Sequence, residues 1–155
     1  MTRDAHQPSI LLVEDNEDDY EATLRSFRRN KVSNPLVRVR SGGEAMDLLF
    51  RRGAYAGLAV ADLPCMVLLD LNMPGIDGLA VLEEVKADAT LRRIPVLILT
   101  TSTDERDVDR CYALGASTYI QKPVVFEKLV EAVGRIKDYW FEVAILPGGP
   151  GRGAP

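Results

Sequence analysis

The chain contains few of the residues that build thiolate metal centres, disulfide frameworks or histidine-based active sites. Its 155 residues include two cysteines, Cys65 and Cys111, which lie far apart inside apolar segments. We therefore expect both thiols to be buried and reduced, rather than joined in a disulfide or bound to a metal. The one histidine, His6, lies in a polar leader where no predicted strand or helix would hold it, so neither a ligand nor a catalytic role is expected.

Long apolar runs and excess positive charge are also missing. No stretch approaches the ~20 apolar residues that span a bilayer, and the polar first eight residues lack the apolar core of a signal peptide. The formal net charge of −4 argues against nucleic acid as the main partner. These absences lead us to expect a cytoplasmic protein that binds neither a membrane nor nucleic acid directly.

The apolar residues that are present follow an alternating pattern along the chain. Five short runs are typical of strands, at residues 9–13, 36–39, 66–69, 96–99 and 118–121. Five helices are predicted between and after them, at residues 18–29, 41–52, 79–87, 104–114 and 126–139. This alternation predicts an α/β fold, a doubly wound five-stranded parallel sheet with five flanking helices.

Cap and loop signals complete this prediction. Two serine–glutamate pairs have the spacing of capping boxes that begin helices, Ser41 with Glu44 and Ser102 with Glu105. Gly115 is predicted to end the fourth helix. Residues 53–63 are predicted to form a loop, and the Gly/Pro-rich residues 147–155 are predicted to be disordered.

Acidic side chains follow two of the predicted strands at the point where each strand ends. Glu14 and Asp15 come directly after the first strand, and Asp70 follows the third. Because the carboxyl ends of neighbouring parallel strands meet at one edge, we expect these carboxylates to converge there. They would repel one another without a cation, and an oxygen-only donor set suits Mg²⁺ or Mn²⁺. Residues 17–19 include further acidic groups, which we interpret as favourable charge on the first turn of a helix.

The residues predicted at this edge suit phosphoryl transfer. A carboxylate beside Mg²⁺ can attack phosphorus and form an acyl phosphate, which makes Asp70 the candidate acceptor. Lys122 at the end of the fifth strand would add a positive charge, and Thr100 at the end of the fourth would offer a hydroxyl donor. Each has a simpler interpretation when taken alone: Asp70 as a turn or cap residue, Lys122 as a surface lysine, and Thr100 as an ordinary strand end.

Four segments of the chain resemble the motifs of a response-regulator receiver domain. They are ILLVED at residues 10–15, LLDLNMPGIDG at 68–78, ILTT at 98–101 and GASTYIQKP at 115–123. The resemblance covers residues 9–139 and implies a flavodoxin-like sheet with the strand order 2-1-3-4-5. It divides the chain into a flexible leader at 1–8, a receiver domain at 9–140, and a C-terminal arm with a disordered tail at 141–155.

The resemblance implies a metal site around the phosphoacceptor. Asp70 would accept the phosphoryl group and also bind Mg²⁺. Glu14 and Asp15 would help to hold the metal, and Asn72 would contribute its backbone carbonyl. Many relatives carry aspartate where this chain has Glu14, so the longer side chain is expected to reach the metal through water.

The resemblance also implies a switch. Thr100 and Lys122 would contact the phosphoryl group, and Tyr119 would be the aromatic switch partner of Thr100. Phosphorylation would draw Thr100 toward the site, let Tyr119 turn inward, and reshape the surface of the fourth helix, fifth strand and fifth helix. The Lys–Pro peptide of this family is usually cis, while the general base rate of cis X–Pro bonds is low, so the sequence leaves the isomer of Lys122–Pro123 open. Such a domain catalyses only its own phosphorylation and dephosphorylation.

Two segments resemble more narrowly the single-domain regulators that are paired with phytochrome histidine kinases of bacteria and cyanobacteria. They are the long stretch before the third strand, residues 50–64, and the end at 138–147. This resemblance implies a sensor histidine kinase, of the phytochrome type, as partner. Phe141, Val143 and Ile145 alternate as in a strand, and we predict a homodimer through the last helix and this arm. The alternative is that the arm packs back on its own domain.

Three other classes of protein remain as alternatives. A flavodoxin-like redox protein would bind an FMN phosphate after the first strand, where residues 14–19 are mostly acidic. A phosphatase of the haloacid-dehalogenase kind needs a second aspartate two residues after its nucleophile, where this chain has Asn72. A phosphorylation-independent adaptor would keep the motif residues without using them.

Overall fold

One five-stranded parallel sheet forms the centre of the protein, in a computed structural model that describes residues 7–73, 75 and 77–147. The strands are β1 (Ile10–Val13), β2 (Leu36–Val39), β3 (Met66–Leu69), β4 (Val96–Thr100) and β5 (Thr118–Gln121). Their order is β2-β1-β3-β4-β5, with all neighbours parallel, which confirms the predicted fold class and strand order. His6 and the tail from residue 148 lie outside the described residues, so the expectations for them stay predictions.

Within the described residues, five α-helices flank the sheet, as predicted. They are α1 (Glu17–Arg29), α2 (Gly42–Leu49), α3 (Gly78–Ala87), α4 (Glu105–Leu114) and α5 (Phe126–Lys137). The second helix was predicted to continue to residue 52, but Arg51 takes a left-handed φ of 54° that a right-handed helix does not contain. The predicted loop that follows holds two short 3₁₀ helices, Gly53–Tyr55 and Val60–Asp62. Gly115 ends α4 at a φ of 106°, as predicted.

The helix caps agree with the prediction in α2 and differ from it in α4. The Ser41 hydroxyl accepts a hydrogen bond from the Glu44 amide at 3.1 Å, as predicted, whereas the Glu44 side chain reaches back to the Arg40 amide at 3.0 Å and not to that of Ser41. The predicted cap of α4, Ser102, is wrong, because Asp104 directly precedes the helix and its carboxylate accepts a first-turn amide. A carboxylate is favoured at the positive end of a helix. The Ser102 hydroxyl instead donates to Asp107 at 2.7 Å.

Side chains of the sheet alternate between two hydrophobic layers. Leu12 and Leu68 face the cluster that is formed with α1 and α5. Leu11 and Leu69 face the cluster that is formed with α2, α3 and α4. Burial on both faces is typical of parallel sheets covered by helices. Because the layers cover both faces, the carboxyl ends of the strands are left as the edge where polar side chains can collect.

Neither cysteine forms a disulfide within the described part of the chain. Cys111 is the fully buried residue of α4, whereas Cys65 is partly buried. Burial raises the pKa of Cys111 to about 11, so this thiol keeps its proton at neutral pH. The expected burial is confirmed for Cys111, whereas Cys65 is more exposed than expected.

The end of the chain differs from the predicted strand-like arm. α5 continues directly into a π-helix at Asp138–Val143, so the predicted alternation over that segment is wrong. Trp140 and Phe141 are adjacent in sequence, and both pack against the α1/α5 side of the core. Strand geometry would place two adjacent side chains on opposite faces, which explains why the chain winds here instead. Among the described residues, we find no helix long and apolar enough to cross a membrane.

Candidate functional site

Three carboxylates converge at the carboxyl edge of the sheet. One carboxylate oxygen from each of Glu14, Asp15 and Asp70 lies within 4.8 Å of the others. Sheet hydrogen bonds continue beyond the strand ends and hold two of these residues: the Asp70 amide donates to Val13 and the Glu14 amide donates to Val39. Glu14 and Asp70 are only 2% and 7% exposed. The edge therefore carries a concentration of negative charge with little access to water.

Lys122 supplies the positive charge at this edge. Its ammonium donates to Glu14 at 2.8 Å, to Asp19 at 3.0 Å and to Asp70 at 3.2 Å. Burial alone would lower the pKa of Lys122, but the hydrogen bond to Glu14 and the charges of Asp70 and Glu14 hold it above its ordinary value. Burial raises the pKa of Glu14, and its contacts with Lys122 offset only part of that effect. Lys122 is therefore a permanent cation at the site, not the surface lysine of the simpler interpretation.

Asp19 was assigned to general helix charge from the sequence, and the structure places it at the site. Asn16 caps α1 by accepting the Asp19 amide at 2.9 Å. This cap turns the first helical residues back over the end of β1, where Asp19 reaches Lys122. The sequence did contain a clue to this role: Asp19 lies in the first turn of the helix that follows Glu14 and Asp15. A residue there stays close to the preceding strand end.

Asn72 links Asp70 to Thr100. The Asn72 amide donates to Asp70 at 3.1 Å, and its side-chain nitrogen donates to the Thr100 hydroxyl at 3.3 Å. Thr100 is fully buried at the end of β4. Gly78 keeps this loop close to the sheet, since a Cβ at that position would lie 2.5 Å from the Asp70 carbonyl oxygen. The sequence did not predict the contact between the Asn72 and Thr100 side chains.

Tyr119 lies further from the acidic cluster, on β5. It is partly buried, and its hydroxyl donates to the Ser102 carbonyl at 2.9 Å. The Tyr119 amide faces the open edge of the sheet and donates to the Tyr112 hydroxyl at 3.0 Å. The Lys122–Pro123 peptide that follows β5 is trans in this structure, one of the two isomers that the sequence left open.

The donor set at the edge fits a divalent cation of the Mg²⁺ type. Its candidate ligands Glu14, Asp15 and Asp70 offer only carboxylate oxygens, which suit Mg²⁺ and Mn²⁺ and not zinc. The oxygens are already close enough to share one ion. Their mutual repulsion is offset here by a single ammonium, so a second cation would be favoured electrostatically.

The strand order and the acidic edge together define a class of protein, the receiver domains of response regulators. The sequence pattern of the response regulator receiver domain family matches residues 10–134, and the chain belongs to that family. It is a family of signalling domains and not of typical enzymes. The family resemblance predicted from the four motifs is confirmed.

Two response-regulatory proteins are similar to this chain over most of their length. The chain is 36% identical over 148 residues to the response regulator Rcp1 of Synechocystis sp., covering 95% of this chain and 99% of Rcp1. It is 41% identical over 139 residues to the probable methanogenesis regulatory protein FilR2 of Methanothrix harundinacea, covering 90% of this chain and 87% of FilR2.

Two solved structures of response regulators are also similar to this chain. The structure of the phosphorylated cyanobacterial phytochrome response regulator RcpA matches with a TM-score of 0.84 at 40% identity, covering 91% of this chain and 99% of RcpA. The Mn²⁺-bound form of Rcp1 matches with a TM-score of 0.83 at 36% identity, covering 90% of this chain and 99% of that one. The chain is therefore related to phytochrome response regulators, as its narrower resemblance predicted.

Proposed function

We propose that this chain accepts a phosphoryl group on Asp70 from a sensor histidine kinase and relays the signal by changing the surface of α4, β5 and α5. The observation that supports this most directly is the environment of Asp70. One of its oxygens lies 3.2 Å from the Lys122 ammonium, and the residue shares the edge with two further carboxylates. A nucleophile, a fixed cation and an oxygen-only cation site are thus within reach of one phosphoryl group.

The proposed transfer needs little beyond positioning and charge. An Asp70 carboxylate oxygen attacks phosphorus, a P–O bond forms, and the P–N bond to the donor histidine breaks and leaves its electron pair on the imidazole. Lys122 pairs with a phosphoryl oxygen, and the Thr100 hydroxyl donates to another. Glu14, Asp15, Asp70 and the Asn72 carbonyl would hold Mg²⁺ or Mn²⁺, which would neutralise further phosphoryl charge when bound.

The proposed switch follows from the contacts of Thr100. Phosphorylation places a dianionic group where one carboxylate stood, so the Thr100 hydroxyl is drawn away from Asn72 toward it. The space left behind lets Tyr119 turn inward, which breaks its hydrogen bond to the Ser102 carbonyl. Since Ser102 lies in the loop before α4, the change reaches the outer surface of α4 and β5. The switch needs only a shift in population between two side-chain arrangements of the same fold.

A phytochrome-type histidine kinase is the proposed donor. The support is similarity over nearly the whole length of Rcp1 and RcpA, the latter a phytochrome response regulator. Because exchange with an ATP-dependent kinase requires the compartment that holds ATP, we also propose a cytoplasmic location. Beyond its own phosphorylation and dephosphorylation, no enzymatic activity is proposed.

Phosphotransfer from purified kinases tests this function. With Mg²⁺ present, the chain is expected to take the phosphoryl group fastest from a phytochrome-type kinase of its own organism, and EDTA is expected to prevent the transfer. Histidine kinases of other sensory types are the comparison, because the chain is also similar to FilR2, which is not named as a phytochrome regulator. Fastest transfer from one of those would overturn the link to phytochrome, and no transfer from any kinase would overturn the receiver function.

The C-terminal arm is the proposed dimer contact, together with α5. Tyr139, Val143 and Ile145 present apolar side chains that are 53%, 71% and 97% exposed. Trp140 and Phe141 pack on the chain's own core, so the alternative prediction of an arm that folds back describes half of this segment. We assign the exposed side chains Tyr139, Val143 and Ile145 to contact with a second copy of the chain.

Charge placed on the exposed half of the arm is expected to abolish the dimer. A V143D/I145D variant keeps Trp140 and Phe141 and should therefore stay folded. Sedimentation velocity is expected to give a dimer for the wild-type chain and a monomer for this variant and for a chain truncated after Tyr139. V124D is the matched control, because Val124 is 97% exposed on the loop before α5. A variant dimer as stable as that of the wild type would rule the arm out.

A further inference from the structure

Arg38 is a buried cation beside the acidic site that the proposed chemistry does not use. It lies on β2, the strand next to β1, and its side chain is only 7% exposed. Its Nε donates to the backbone carbonyl of Glu14 at 2.9 Å, and its Nη1 donates to Glu17 at 3.0 Å. The guanidinium carbon lies 4.5 Å from the centroid of the Tyr20 ring. The side chain therefore joins β2 to the end of β1 and to the first turn of α1.

Packing alone does not explain an arginine at this position. Its Nη2 is buried and has no hydrogen-bond partner among the described residues. Burying a cation with an unsatisfied donor costs free energy that an apolar side chain of similar volume would not cost. Only a hydrogen-bond donor can bind the Glu14 carbonyl, which lies just after the end of β1.

That carbonyl belongs to the peptide that joins Glu14 to Asp15. The Glu14 amide is held by Val39, and its carboxylate is held by Lys122 and by the Asn16 amide. The carbonyl bond from Arg38 fixes the remaining polar group of Glu14. The plane of this peptide sets the direction in which Asp15 leaves the strand.

We propose that Arg38 is a positioning residue of the acidic site: it holds the Glu14–Asp15 peptide in the orientation that binds a divalent cation. The inference rests on the proposed function, in which Glu14, Asp15 and Asp70 bind Mg²⁺. Arg38 touches neither the cation nor the phosphoryl group. It acts through a backbone hydrogen bond, in the way that partners behind metal ligands orient those ligands.

Two effects of Arg38 on cation affinity have opposite signs, so they can be separated. As a positive charge, Arg38 repels a cation, and its removal should raise the affinity for Mg²⁺. As a positioning group, it preorganises the carboxylates, and its removal should lower that affinity. Arg40 offers a matched control, since it contacts the same Glu17 oxygen at 3.1 Å, is 64% exposed, and is not bonded to Glu14.

Calorimetric titration of the full chain with MgCl₂, in R38M and R40M variants, is the proposed test. R38M is expected to bind Mg²⁺ about ten-fold more weakly than the wild type, within the range typical for partners behind metal ligands. R40M is expected to bind as the wild type does. Thermal unfolding gives a second readout: in EDTA the melting temperature of R38M should stay close to that of the wild type, while the increase caused by Mg²⁺ should shrink.

Two further variants keep the result interpretable. E17Q weakens the ion pair of Arg38 but leaves the Glu14 bond, so its Mg²⁺ affinity should be unchanged. R38K keeps the charge, and its ammonium should favour the Glu17 carboxylate over the Glu14 carbonyl, so its affinity should fall even if R38M does not fold. Unchanged or tighter Mg²⁺ binding by R38M or R38K would overturn the inference, as would equal losses in E17Q and R38M. A wild-type chain that binds no Mg²⁺ would instead overturn the proposed function.

Discussion

The Asp70→Asn variant is expected to fold as the wild-type chain does and to remain unphosphorylated in acetyl phosphate and Mg²⁺. An amide oxygen can still accept the Asn72 amide that now bonds Asp70. The substitution also removes one negative charge from beside Glu14, whose pKa is raised in part by Asp70. Lys122 loses one ion pair but keeps Glu14 and Asp19 as partners, so the variant should stay folded. An uncharged amide, however, cannot act as the nucleophile toward phosphorus. Intact mass spectrometry measures the product directly as the added mass of one phosphoryl group.

Asp77→Asn is the matched control for this experiment. Asp77 is exposed and caps α3 by accepting the Ala80 amide at 2.9 Å, a contact that asparagine retains. This variant makes the same chemical change only a few residues away and should be phosphorylated at the wild-type rate. Phosphorylation of Asp70→Asn at that rate would place the acceptor elsewhere and contradict the assignment.

The Lys122→Met variant is expected to be strongly destabilised when no divalent cation is present. Its ammonium is the common partner of Glu14, Asp70 and Asp19, and the first two are buried. Removing one partner of a buried ion pair leaves uncompensated charge, at a cost of about 3 kcal/mol in the free energy of unfolding. Mg²⁺ bound by the same carboxylates should recover much of this loss, because it binds only the folded chain.

Urea unfolding in EDTA and in Mg²⁺ measures both parts of this prediction. Lys86→Met is the control, since Lys86 is partly buried and donates to two backbone carbonyls at 2.8 Å, Arg92 and Ile94. That variant should lose about 1 kcal/mol, and the loss should not depend on Mg²⁺. Equal behaviour of the two variants in EDTA and in Mg²⁺ would show that Lys122 does not neutralise a cation site.

The Lys122→Met loss should also shrink at low pH. Burial raises the folded-state pKa of Glu14 above its ordinary value, and Lys122→Met should raise it further by removing the opposing partner. For such a group the folded chain binds a proton more readily than the unfolded chain does. Its favourable contribution is therefore complete below the ordinary pKa and is lost as the pH rises through the folded pKa. The gap between variant and wild type should narrow as the pH falls through that window.

Local patterns were enough to predict the sheet and its helices. Each strand is a short apolar run and each helix an amphipathic one, and these periodicities depend only on neighbours along the chain. Helix caps were harder to predict from the sequence, because two residues that are able to cap a helix can lie within one turn of each other. Ser102 and Asp104 both precede α4, and the carboxylate takes the cap. The π-helix at Asp138–Val143 could not be predicted, because it depends on where Trp140 and Phe141 meet the core.

The order of residues along the chain was sufficient to identify the family and to name Glu14, Asp15, Asp70, Thr100 and Lys122 as neighbours. The carboxyl ends of the strands in a parallel sheet meet at one edge, and this holds independently of the contacts that their side chains make. Folding alone decided which neighbours bond. Asp19 turns toward Lys122, whereas Glu17, two residues earlier, turns outward to Arg38 and Arg40. Those choices join residues as many as 108 positions apart, and they follow from packing and charge in three dimensions, which no local pattern records.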